Sequence, residues 1–122
     1  MITRSFDRKR EYAVMAAPTL SSIAVSGLNA GATRAQVTAN NVVNANTPGF
    51  RPARVETMTL VAGRGIDGGA GVQAQLLEGT EPGVDLVTEF TQLIASKVTY
   101  KASAELICTG LELDEALLRA VK

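Results

Sequence analysis

Asp85 and Glu89, four residues apart, are the two carboxylates whose spacing could serve general acid and base chemistry, since positions i and i+4 share one face of a helix. Both fall where a helix is predicted to open. There a carboxylate caps the first turn and complements the positive end of the helix dipole, which accounts for the pair without catalysis. Cys108 lies on an apolar stripe, where a buried, inert thiol is expected. Gly63, Gly65 and Gly68 spell GxGxxG. A dinucleotide loop with that spacing must open a helix and be followed about twenty residues later by a ribose-binding acid. Here a strand-like run follows, so residues 63–71 are expected to form a flexible loop. Arg51 and Arg54 make a small basic spot with no aromatic platform, which suits a subunit contact or solvated edge better than phosphate binding.

Composition narrows the chemistry further. The chain has no His, which removes the commonest general base and metal ligand, and a single Cys, which excludes an intrachain disulfide and a multi-cysteine zinc site. No enzyme site, metal site or cofactor site can be assembled, and no small-molecule substrate is expected. Twelve basic and twelve acidic residues cancel to a formal charge of zero, so there is no bulk electrostatic pull towards nucleic acid or an anionic membrane. Partners should be met through shape and apolar contact. A length of 122 residues fits one domain with a modest core. The basic start through Arg10 resembles a secretory signal only superficially, because Pro18, Ser21, Ser22, Ser26 and Gly27 interrupt the apolar run, and no cleaved signal is expected. Met15 is a second candidate start. Nothing later approaches the roughly 20 apolar residues of a membrane span.

The elements are organised around the stretch from Ala39 to Phe50. Asn40, Asn41, Asn44 and Asn46 compete for nearby backbone groups; Pro48 keeps Thr47 out of the helical region, and Gly49 adopts positive φ freely. The Asn side chains are expected to bond the helix end and a neighbouring subunit rather than a ligand. Residues 1–20 show no sustained periodicity and read as a flexible leader. In 21–50, Val25, Leu28, Ala32, Ala35, Ala39 and Val42 are spaced 3, 4, 3, 4 and 3, a heptad seam on a helix from about Leu20 to Val43, roughly 36 Å long. In 51–83, Val55–Val61 and Val72–Leu77 alternate loosely and predict a β-hairpin. In 84–122, a helix capped by Asp85 carries Leu86, Phe90, Leu93, Lys97, Tyr100, Ala104, Ile107, Leu111, Asp114 and Leu118 at 4-3 spacing over roughly 55 Å. Val87, Ile94, Val98 and Cys108 widen the stripe beyond what one neighbour covers. The expected fold is mainly α: N- and C-terminal helices in an antiparallel coiled-coil-like pair with a small β-hairpin insert. The second helix is expected to overhang the first, leaving apolar seam for assembly.

With those residues in view, the chain resembles the bacterial flagellar basal-body rod protein family, part of the wider axial family, and in particular a short or diverged proximal-rod-like member. Leu28-Asn29-Ala30 and Ala39 to Phe50 resemble the family's AxNLANxNTxGF signature, and Gly83 to Phe90 with Leu93-Ile94, Tyr100-Lys101-Ala102 and Thr109 resemble its VDLxxEM…LIxAxxxYxAN…T helix. Val42-Val43 stand where Leu-Ala is usual, Ser103 where Asn usually follows Tyr-x-Ala, and Glu105 where Lys is common. The resemblance implies a structural subunit that passes through the flagellar export apparatus and polymerises with itself and other rod and axial proteins in the periplasmic rod. Its assembly interface would then comprise Leu28, Ala32, Ala35, Ala39 and Val42 with Leu86, Phe90, Leu93, Tyr100, Ala104, Ile107 and Leu111. The turn motif would be Asn40, Asn41, Asn44, Asn46, Thr47, Pro48, Gly49 and Phe50. A soluble adaptor that uses the same helices to bind an export or assembly partner is the alternative from another class.

Overall fold

The computed structural model describes residues 3–61 and 70–121. Helix α1 spans Thr3–Val43, strands β1 and β2 span Ala53–Val61 and Ala70–Glu78, and helix α2 spans Leu86–Ala120. The fold is thus mainly helical with an antiparallel two-stranded hairpin between the helices, as expected. The glycine-rich connection read as a flexible loop lies, over residues 62–69, outside the described residues.

Helix α1 begins far earlier than its seam predicts and takes in residues 3–20, which the lack of apolar periodicity marks as a leader. Periodicity reports burial, whereas helicity also follows propensity, and Arg, Lys, Glu, Met and Ala in this stretch are good helix formers. At 41 residues α1 is about 62 Å long and α2, at 35 residues, about 52 Å, so the expected overhang of α2 is not found.

The helix ends at Val43 because the chain supplies a different set of hydrogen bonds there. Asn44 Nδ2 donates to the Asn40 carbonyl at 2.9 Å and to Asn40 Oδ1 at 3.1 Å, covering the last turn. The Thr47 N–H donates to the Asn44 carbonyl, and the Phe50 N–H to the Thr47 carbonyl at 3.2 Å. Thr47-Pro48-Gly49-Phe50 has proline second and, at φ +75°, glycine third, which is the pattern of a type II turn. The Phe50 carbonyl then accepts from Gly83 N at 3.2 Å, joining this turn to the entrance of α2.

The hairpin pairs Ala53 with Glu78 and Val61 with Ala70 and lies back along α1. Val72 N donates to Ser26 Oγ at 3.0 Å, and Arg34 Nη2 reaches Thr57 Oγ1 at 3.5 Å. At its base Gly79 passes so close to the Pro52 carbonyl that a Cβ there would collide with it. Among the described residues the hairpin packs on α1 and not on α2.

The two helices run antiparallel, side by side. A Cβ built on Gly110 would lie 3.5 Å from the Leu20 side chain, one on Gly27 would lie 2.7 Å from Ser103 Oγ, and one on Gly31 would lie 3.4 to 3.5 Å from the backbone of Ser96 and Tyr100. Further along, Asn41 bonds Glu89. What meets between the helices is not the predicted apolar seam. Among the described residues the buried positions are Ala24, Ala30, Gly31, Thr38 and Asn41 on α1 and Glu89, Ser96, Ser103 and Gly110 on α2, with Gly27 half-buried. All but Ala30 lie one residue before a seam position: 24 before 25, 31 before 32, 38 before 39, 41 before 42, 89 before 90, 96 before 97, 103 before 104 and 110 before 111. One residue is a rotation of about 100°. The pair is held by close approach of small and polar side chains, and the apolar stripe is turned to its flank. Ser96 is fully buried without loss because its hydroxyl donates to the Gln92 carbonyl at 2.7 Å. Among the described residues the buried hydrophobic side chains are Ala24 and Ala30 alone. At about 0.8 kcal/mol per buried methyl-sized group, these contribute little to stability.

Candidate assembly interface and the asparagine clip

The turn motif divides into a surface part and a buried part. Asn40, Asn46, Thr47, Pro48 and Gly49 are exposed, and Asn44 and Phe50 half-buried. Asn41 is 1% exposed and uses its whole amide. Its Oδ1 accepts from Ala53 N at 3.1 Å while its Nδ2 donates to the Ala53 carbonyl at 2.8 Å, gripping the first residue of β1 at both backbone groups. The second Nδ2 hydrogen goes to Glu89 Oε1 at 3.1 Å. Only this amide orientation works, since the reverse would set an oxygen against two acceptors. The expectation that the Asn side chains reach a neighbouring subunit is corrected for Asn41, whose bonds stay within the chain. The reading of Glu89 as a dipole partner of the first turn is corrected as well. That turn does place it beside the helix N-terminus, but it is buried and binds α1 across the pair.

Asp85 does what its position predicts. Its Oδ1 accepts from Val87 N at 3.1 Å and its Oδ2 from Thr88 Oγ1 at 2.7 Å, closing the first turn of α2. The Thr88 hydroxyl first, and then the Val87 N–H, hold the carboxyl below its ordinary value of 3.8. A carboxyl depressed in the folded state contributes stability that is present above its unfolded value and lost as pH falls through the folded one. Circular dichroism followed from about pH 5 down to about pH 1 is expected to show part of the acid loss of helix vanish in Asp85→Ala, whose helix content is already lower at neutral pH. Identical acid profiles for the two chains would contradict the cap.

The predicted interface residues are not gathered at the centre of the helix pair. Leu28, Ala32, Ala35 and Val42 are half-buried on its flank and Ala39 is exposed. On α2, Leu86, Phe90, Leu93, Tyr100 and Leu111 are exposed, while Ala104 and Ile107 are half-buried. Val87, Ile94 and Val98 extend the same surface and are more than half exposed. Cys108, expected to be buried, is a free and exposed thiol, because the stripe that carries it faces away from α1. A cleft of about 620 Å³ separates the base of the hairpin from the first turns of α2, lined by charges of both signs that include Arg34, Arg54, Glu56, Glu78 and Glu89. No described helix is long and apolar enough to cross a membrane.

The residues that hold the pair together, Glu89, Ser96, Ser103 and Gly110, escape a search for apolar seams. Their signal is the heptad interval itself, repeated over three steps with small or polar side chains.

The second half of α1, the clip asparagine and the type II turn form one continuous segment. Residues 22–51 match the flagella basal body rod protein family. The match bears out the resemblance carried by the AxNLANxNTxGF-like stretch, and that family is structural rather than enzymatic. The match points to a structural role related to the rod of the flagellar basal body. The resemblance of Gly83 to Thr109 lies beyond the matched residues. No curated protein sequence matches the chain.

Proposed function

We propose that this chain is a building block of the flagellar basal-body rod that polymerises through the apolar flanks of its two helices. The observation that carries the proposal is the division of labour on α2. Its small and polar stripe is spent on α1, while Leu86, Val87, Phe90, Ile94 and Val98 remain exposed. A continuous apolar surface of this kind on a chain with almost no apolar core among its described residues is stabilised by burial against further helices. On this reading Leu28, Ala32, Ala35, Ala39 and Val42 meet neighbouring copies or other rod and axial proteins together with Leu86, Phe90, Leu93, Tyr100, Ala104, Ile107 and Leu111. The coiled-coil contacts then form between subunits rather than within one. A chain with so few buried apolar side chains among its described residues also suits passage through the flagellar export apparatus in unfolded form to the periplasmic rod. The reading involves no cofactor, substrate or nucleic acid. Basal bodies purified from cells that express a tagged chain are expected to contain it in their rod fraction, and deletion is expected to abolish motility. Basal bodies that lack the chain, or swimming cells with an intact rod after deletion, would overturn the proposal; the first result would instead favour a soluble adaptor.

A further inference from the structure

We propose that Asn41 is a latch that couples the hairpin to α2, two elements that do not pack on each other, so that the base of the hairpin is locked down only when the C-terminal helix is in place. Among the described residues each of them packs on α1 alone. Asn41 stands where they converge, fully buried, with its carbonyl oxygen and one amide hydrogen on Ala53 of β1 and its other amide hydrogen on Glu89 of α2. The two sets of bonds are not independent. With Glu89 absent, the second hydrogen loses its acceptor beside the cleft, and the amide turns towards the water there at the expense of its bonds to Ala53. The other ties of the hairpin to α1, at Ser26 and Arg34, lie further up the strands and leave its base to this clip. The backbone bond between Phe50 and Gly83 joins the flanking loops rather than the strands. Because α2 follows the hairpin in sequence, the base of the hairpin takes its final seat only once α2 has paired. This ordering holds whether or not the chain assembles into a rod.

Amide hydrogen exchange on the full chain tests the latch, with trimethylamine N-oxide added to favour the folded state. Glu89→Ala is expected to speed exchange at Ala53 by about tenfold or more, although α2 does not touch β1. Glu89→Gln keeps an acceptor oxygen and is expected to restore protection to within about twofold of the original chain. Gly31→Val disturbs the pair at Ser96 and Tyr100, away from the clip, and at matched helix content it is expected to affect the amides of α2 more than Ala53. Three results would overturn the latch: Ala53 unprotected in the unaltered chain, Ala53 unchanged in Glu89→Ala, or equal acceleration by Glu89→Ala and Gly31→Val. Should Glu89→Ala fail to fold, native-state exchange of the unaltered chain in low urea decides instead. Ala53 opening together with the first turns of α2 supports the latch, and separate openings refute it.

Discussion

Leu93→Asp is expected to leave the chain helical and to abolish its incorporation into the rod. Leu93 sits on the shoulder of the α1 contact, 36% exposed, so the isolated chain can keep a carboxylate there in water. In an assembly that covers the stripe of Phe90, Leu93, Ile94 and Tyr100, the same carboxylate would be buried without a partner, a penalty on the order of several kcal/mol. If copies of the chain polymerise through this stripe, as proposed, the penalty recurs at every contact. Thr99→Asp supplies the control: it places the same charge on the opposite, exposed flank of the helix pair and is expected to assemble. Fractionation of basal bodies with circular dichroism of the purified variants reads both effects. Rods that accept Leu93→Asp at the normal level would show that this stripe faces water in the assembly, and a Leu93→Asp chain without helix would move the residue from the interface to the fold.

Leu93 also shows what could be seen in advance. Its stripe, the end of α1 at Val43, the two strands and the Asp85 cap follow from local chemistry, in which periodicity, β-branching, turn residues and a capping carboxylate each act within a few residues. Which stripe of each helix meets the other was not legible in the same way. Hydrophobicity marks surfaces that prefer to leave water, and Leu, Phe and Ile mark them most strongly; it does not say whether the covering surface is in the same chain. The internal contact turned on Gly27, Gly31, Ser96, Ser103 and Gly110, whose value lies in what they omit, since the absence of bulk allows the backbones to approach. The helical state of residues 3–20 was hidden for the opposite reason, propensity without periodicity. Glu89 was legible as a first-turn acid and illegible as a partner of Asn41, because 48 residues separate the two and no local rule relates them.

Asn41→Leu, a replacement of similar size, is expected to remove the cooperative unfolding transition of the folded chain, whereas Asn40→Leu and Asn44→Leu should shift it only modestly. The side chains of Asn40 and Asn44 serve an exposed helix end, where water takes over lost bonds, and changes at such positions cost about 1 kcal/mol or less. At Asn41 the replacement strands the N–H and carbonyl of Ala53 and the Glu89 oxygen together. A buried polar group left without a partner costs about 1–3 kcal/mol; the Glu89 oxygen is buried and the Ala53 groups are half-buried, so the set amounts to a few. Small domains are stable by only about 5–15 kcal/mol, and a chain whose buried apolar side chains, among the described residues, are Ala24 and Ala30 has little reserve. Asn41→Asp separates hydrogen bonding from size. It still accepts from Ala53 N, but it turns an acceptor towards the Ala53 carbonyl and a negative charge towards Glu89, so it is expected to be no better than the leucine. Urea titration followed by circular dichroism measures all four variants. An Asn41→Leu midpoint close to that of Asn40→Leu would mean that the buried amide contributes no more than a surface one, and the clip would lose its place as the joint between α1, β1 and α2.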